Sequence, residues 1–152
     1  MKTSRRAGFT IIEMMTVVTI LGIFAALAAP SMADLLASTA IKGAQSDFYS
    51  ALIAARSEAI KRRASATVAP IGATWETGWT VKVSGNTFQT VDALKPRVVV
   101  NPTVPVNIVF GMNGRVSSGS QTIKFSDSVR TTVANRCVVV GSSGLPRLRT
   151  GC

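Results

Sequence analysis

The sequence predicts an α+β fold, a long, kinked N-terminal helix packed on a C-terminal antiparallel β-sheet. Three features point there. An apolar run extends from Phe9 to Ala29, apolar residues then recur at helical spacing as far as Ala59, and from Trp79 onward the apolar period drops to two. A chain of 152 residues suits one core rather than two ordinary domains plus a membrane segment.

The first element begins behind Lys2, Arg5 and Arg6, with no acid among the first eight residues. Basic residues followed by an apolar run are the order of a membrane-targeting segment. The run is interrupted by Glu13, Thr16, Thr19 and Gly22, and with Ser31–Ala33 it reaches the roughly 20 residues needed to span a hydrocarbon core. Pro30 predicts a bend with helix continuing beyond it. Leu35, Leu36, Ile41, Phe48, Leu52, Ala55 and Ala59 then mark an amphipathic helix, with Lys42, Gln45, Asp47 and Arg56 between them. Gly43 is a second weak point, and Arg62-Arg63 followed by Thr67–Gly72, with Pro70, supplies the stop. A helix from residue 9 to about 65 would measure on the order of 85 Å.

The second element is the sheet. Trp79, Val81 and Val83 alternate with Thr80 and Lys82, and Ser84-Gly85-Asn86 turns the chain into Thr87–Val91, a β-hairpin. Arg97–Val100, Val106–Phe110, Gln121–Phe125 and Arg136–Val140 are further strands, separated by turn clusters, with Asn101–Pro105 and Ser117–Ser120 as surface connections. A sheet of five or six such strands needs its apolar face covered, and the amphipathic half of the helix is the sizeable element available.

Charge is unevenly placed. The net charge is +10, residues 9–92 balance six basic side chains against six acids, and residues 93–152 set eight basic side chains against Asp127 alone. Such a half suits a polyanionic partner, nucleic acid or anionic lipid, or serves solubility alone. Residues 93–152 hold no amphipathic basic helix, which argues against the lipid. Cys137 and Cys152, an isolated pair in a chain with an export-type start, read as an intramolecular disulfide ahead of a metal site. With no His, seven acids, no glycine-rich phosphate loop and no Ser or Cys beside a plausible base, the chain is not expected to be an enzyme or to hold a cofactor or metal.

The stretch Arg5-Arg6-Ala7-Gly8-Phe9-Thr10-Ile11-Ile12-Glu13 closely resembles the class III signal sequences of type IV pilins and pseudopilins. The resemblance implies a type IV pilin fold, cleavage between Gly8 and Phe9 by a prepilin peptidase, and N-methylation of Phe9. The implied divisions are a leader at 1–8, a transmembrane or filament-core segment at 9–33, an amphipathic helix at 34–65 and a β domain at 66–152. Glu13 becomes the fifth mature residue, and an unpaired carboxylate in an apolar core costs on the order of several kcal/mol. In the family its partner is a neighbouring subunit's terminal ammonium, so Glu13 would set filament register. The competing reading is a secretory signal cut after Ala26-Leu27-Ala28, to which a glutamate early in the apolar region is ill suited. Localisation follows: single-pass in the bacterial inner membrane with a periplasmic C-terminal domain, then the pilus and cell surface.

A second resemblance covers most of the remainder. Leu52–Arg62 and Trp75-x-x-Gly78-Trp79 resemble the minor pilins FimT and FimU and the pseudopilin GspH. Physically, Ala54, Ala55 and Ala59 allow close helix-sheet packing, while Arg56, Glu58, Lys61 and Arg62 can face solvent, Glu58 and Arg62 as an i,i+4 pair. Gly144–Cys152 resembles the Gly-Arg-x-Arg element by which competence-associated FimT proteins are held to bind DNA, with Pro146 standing where that motif has Gly. The implied partners are other pilins and minor pilins, the prepilin peptidase and double-stranded DNA, the last held by Arg147, Arg149, Arg136, Arg130, Lys124 and Arg115 for uptake in natural transformation. A Cys137–Cys152 bridge would close a loop containing Arg147 and Arg149 and preorganise them. No aromatic lies in residues 126–152, so binding would be electrostatic, salt-sensitive and indifferent to sequence. The alternatives are a last strand whose Leu145 and Leu148 point inward while its arginines face solvent or a neighbouring pilin, a minor pilin that only primes assembly, and a GspH-like pseudopilin of type II secretion.

Overall fold

Helical spacing in the first part of the chain produces one helix, α1 (Ile11–Arg62), which runs on through Pro30. The structure is a computed structural model, and it describes residues 8–102 and 106–152, without the side chain of Ala29. The leader residues ahead of Gly8 and residues 103–105 of the Asn101–Pro105 connection lie outside the described residues. The chain divides into two compact units at Leu35/Leu36.

In the first unit Phe9 and the apolar side chains of α1 that follow it are exposed, from Ile11 through Phe24 and Leu27 to Met32. Its hydroxyls are satisfied by the helix itself. Thr16 Oγ1 donates to the Glu13 carbonyl at 2.8 Å, Thr19 Oγ1 to that of Met15 at 2.8 Å, and Ser31 Oγ to that of Ala28 at 2.9 Å. Each of these hydroxyls therefore needs no outside partner, as a lipid environment demands, which leaves Glu13 as the interruption whose side chain the helix does not satisfy. The stretch is long and apolar enough to cross a membrane.

In the second unit the rest of α1 turns Ile41, Ala44, Phe48, Ala51, Leu52, Ala55 and Ala59 inward. Phe48 is the centre of that core. Its ring lies 5.1 Å from each of Trp75 and Trp79, nearly perpendicular to both, and 5.8 Å from Phe125. The alanines on either side leave room for that aromatic cluster to approach the helix. Arg63 adopts a left-handed φ of 48°, and the Ala64 N–H donates to the Ala59 carbonyl at 3.1 Å, which closes the helix and turns the chain into the first strand.

Eight strands follow: β1 (Ala66–Pro70), β2 (Trp79–Val83), β3 (Asn86–Val91), β4 (Val98–Asn101), β5 (Ile108–Phe110), β6 (Gln121–Asp127), β7 (Arg136–Val140) and β8 (Pro146–Thr150), with a 3₁₀ turn at Trp75–Thr77. The expected single sheet is instead two antiparallel sheets of four strands, ordered β3-β2-β1-β5 and β4-β6-β7-β8. The hairpin turns on Ser84 and Gly85, whose φ values of 50° and 82° suit a tight two-residue connection, so Asn86 belongs to the strand. Gly78, at φ +92°, lies so close to the Val91 carbonyl that an added Cβ would overlap it.

Several expectations are corrected. The segment read as a helix stop contains β1, whose Val68 pairs with both Val81 and Ile108; Pro70 ends that strand rather than breaking a helix. Leu35 and Leu36, assigned to the apolar stripe, are exposed, and the core begins beyond them. Gln45 and Glu58, read as polar positions between core residues or facing solvent, are buried, because each has a partner that satisfies it. Glu58 Oε2 accepts from Arg62 Nε at 2.5 Å, and Lys61 lies 3.8 Å from Oε1. Arg62 also sits 5.6 Å over the Phe88 ring.

Candidate functional site

The second sheet has two unlike faces because its strands alternate in strict register. Ile123, Phe125, Val138 and Val140 are buried in the core. The alternate positions form the outer face, where Lys124 pairs with Cys137 and Cys137 with Arg149, while Thr122 pairs with Val139 and Val139 with Arg147. Arg147 and Arg149 thus stand on one face of β8, about 6.8 Å apart along the strand, with Lys124 two strands away at about 10 Å. The β4 positions in this row are Val99 and Asn101, so no acid lies on the face. Among the described residues neither arginine nor Lys124 forms an ion pair.

Three attachments fix this edge strand. The Cys137–Cys152 disulfide, with Cα atoms 6.4 Å apart, ties the chain end to β7 and encloses both arginines in its loop. Gln45 Nε2 donates from α1 to the Cys137 carbonyl at 2.7 Å and to the Arg149 carbonyl at 3.1 Å, so a buried helix residue holds β7 and β8 together. The Gly151 N–H donates to the Asn135 carbonyl at 2.9 Å. Pro146 is buried at the start of β8, and the backbone there pairs with Val140 despite the missing amide donor.

The six cations proposed from sequence do not form one patch. Lys124, Arg147 and Arg149 share the outer face, and Arg115 is exposed on a loop joined to the β7–β8 turn by a 3.2 Å hydrogen bond from the Val116 N–H to the Ser142 carbonyl. Arg136 pairs with Phe125 and Thr150, on the opposite side of the sheet, and its Nη1 donates to Thr150 Oγ1 at 3.4 Å. Arg130 lies in the β6–β7 connection, at the far end from that turn. There the Arg130 and Val129 N–H groups each donate to Asp127 Oδ1 at 2.8 Å. These bonds, with the Arg97 and Arg130 charges, outweigh burial and hold the Asp127 carboxyl below its ordinary range. Burial raises the Glu76 carboxyl, but donation from the Val100 N–H at 2.7 Å and from Thr74 brings it below its ordinary value.

Leu145 and Leu148, the inward residues of the alternative last strand, are half exposed. The Gln45 clasp was missed, although Gln45 stands four residues after Ile41 and three before Phe48, inside the apolar stripe. That spacing was the available signal of burial. Gly8, Phe9 and Glu13 lie at the N-terminal end of the first unit, all exposed, and the Glu13 N–H donates to Thr10 Oγ1 at 3.3 Å.

Two family models match the sequence. The type II transport protein GspH matches residues 44–144, more than half of the chain, and the prokaryotic N-terminal methylation motif matches residues 3–29. A comparison with curated proteins found no match. Crystal structures of the type IV minor pilin FimU of Pseudomonas aeruginosa, in two crystal forms, share the fold. One gives a TM-score of 0.58 at 20% identity over 74% of this chain and 88% of that one, the other 0.57 at 20% identity over 73% and 92%. The long helix packed on antiparallel sheets, the methylation motif ahead of it and the family match across the β-rich unit place this chain in the GspH family, among minor pilins of the FimT, FimU and GspH type.

Proposed function

We propose that the chain is a minor pilin that is cut between Gly8 and Phe9, methylated on Phe9 and built into a type IV pilus, where its C-terminal sheet captures double-stranded DNA for natural transformation. The carrying observation is the outer face of the second sheet, where Lys124, Arg147 and Arg149 stand in register without an acid, and where the disulfide and Gln45 hold the backbone of the strand that bears the two arginines. A strand backbone already in place leaves only the side-chain rotamers to be ordered on meeting phosphates. Before assembly the exposed apolar helix holds the protein in the inner membrane with the β-rich unit on the periplasmic side. In the filament the Glu13 carboxylate meets the terminal ammonium of a neighbouring pilin.

The test is electrophoretic mobility of a DNA duplex with the detergent-solubilised full chain. A shift that is lost in Arg147→Gln/Arg149→Gln supports capture, and no shift in the wild type leaves a minor pilin that primes assembly. A second reading, a pseudopilin of type II secretion, is favoured by the GspH match itself. Gene deletion separates the two: lost piliation and transformation support the pilus, and lost exoprotein secretion supports the pseudopilin.

A further inference from the structure

Beside the two arginines a cleft of about 280 Å³ opens at the β7–β8 turn, lined by Val139 and Leu145, by Ser142 and Ser143, and by Arg147 and Arg149 together with Gly141. We propose that this cleft seats one sugar-phosphate unit of a nucleic-acid backbone, the guanidinium groups and serine hydroxyls taking the phosphate and the aliphatic walls taking the sugar. The inference rests on the nucleic-acid reading and assigns Ser142 and Ser143 to it.

The lining chemistry selects this ligand. Two arginines and two serines line the cleft with no acid among the lining residues, and together they carry the donor set of a phosphodiester. No aromatic lines the cleft, so a base finds no stacking platform, while Val139 and Leu145 suit the apolar edge of a sugar. A second cleft of about 280 Å³ on the same unit, between α1 and the β3–β4 connection, is lined by Asp47 and Asp92 with Lys95, and its carboxylates repel a phosphate.

The turn is also held in place. The Gly144 N–H donates to the Gly141 carbonyl at 2.9 Å, and the Ser142 carbonyl accepts from Val116 at 3.2 Å. Gly144, at φ +76°, packs against the Gly114 carbonyl where an added Cβ would overlap it, so the two loops interlock through glycines. The serines therefore stand at a fixed position relative to β8 before any ligand arrives. That is the preorganisation a backbone seat requires.

Duplex binding by the detergent-solubilised full chain tests the seat. Ser143→Asp places a carboxylate where the phosphate would sit and should weaken binding at least about 30-fold. Thr122→Asp puts the same charge on the same face, outside the cleft, and should cost about threefold because salt screens it. Ser142→Ala/Ser143→Ala, which removes only the hydroxyls, should cost about three- to tenfold. Unchanged thermal melts confirm that these exposed positions leave the fold intact. Equal losses in the two aspartate variants overturn the seat and leave a diffuse basic field. Wild-type affinity in Arg147→Gln/Arg149→Gln overturns the assignment of duplex binding to this face, and no binding by the wild type overturns the nucleic-acid reading itself. A polyglutamate peptide that binds while the duplex does not overturns both and assigns the face to an acidic protein.

Discussion

Replacing Arg147 and Arg149 by glutamine should change the salt dependence of DNA binding by a calculable amount. Four cations stand at or beside the outer face, Lys124, Arg115, Arg147 and Arg149, and each phosphate contact contributes a fixed slope to the logarithm of affinity against the logarithm of salt. At about 0.9 per contact on B-form DNA, the wild type should show a slope of about −3.6 and the double variant about −1.8. Raising salt from roughly 50 to 200 mM would then weaken the wild type about 150-fold and the variant only about 12-fold. The measurement is fluorescence anisotropy of a labelled duplex with the detergent-solubilised full chain. Charges elsewhere, including Lys2, Arg5 and Arg6, contribute equally to both proteins and cancel in the difference. Parallel lines for the two proteins would refute the argument, because the arginines would then touch no phosphate. A slope change without sequence preference is expected, since no aromatic or base-reading group adjoins the pair.

Phe48→Ala should destabilise the second unit by about 3–5 kcal/mol, because Phe48 is fully buried between Trp75, Trp79 and Phe125, and tryptophan fluorescence during denaturation reads the loss directly. Replacing Cys137 and Cys152 by alanine should cost about 3 kcal/mol in the chain-entropy picture for a loop of this size, and should raise hydrogen exchange in β8 above that in β6. Gln45→Leu leaves two carbonyls without their side-chain donor and should cost about 1–3 kcal/mol, with increased exchange confined to β7 and β8. The Asp127 carboxyl is held below its ordinary value, so its contribution is fully present above the unfolded pKa, about 3.9, and is lost as pH falls through the lower folded pKa. An acid titration of stability should flatten in Asp127→Asn, and an unchanged acid limb would contradict the assignment.

What the sequence revealed depended on whether a local pattern was sufficient. The helix was legible because its apolar positions recur at spacings of three, four and seven from Ile41 to Ala59, and the Trp79–Val91 hairpin because alternation meets a Ser-Gly turn. β1 was not legible, since Ala66-Thr67-Val68-Ala69-Pro70 is short, weakly apolar and next to a helix end; its strand character comes from pairing on both sides with β2 and β5. The division into two sheets was hidden for the same reason, as strand order is set by long-range pairing. Within the site, Arg147 and Arg149 could be placed together from a two-residue spacing. That Arg136 faces the other side follows only from the β7 register, which puts it opposite Phe125 and Thr150.

The basic excess of residues 93–152 acquires a direction from the fate of their single acid. Asp127 lies in register with Val98 on the core side of the sheet, and its carboxylate is occupied by two backbone N–H groups beside Arg97 and Arg130. It offers little compensation to the outer face. The exposed acids Asp47 and Asp92 belong instead to the cleft beside α1, with Thr39, Gly43 and Lys95. Folding therefore sorts a chain of mixed charge into one face where anions are attracted and one cleft where they are repelled. Because an electrostatic field alone would tolerate cations anywhere on a surface, the three attachments that fix β8 demand a further reason. A ligand whose charges sit at fixed spacing would supply one, since holding the β8 backbone fixes the spacing at which Arg147 and Arg149 leave it, and a fixed spacing would favour a repeating phosphate backbone over free anions.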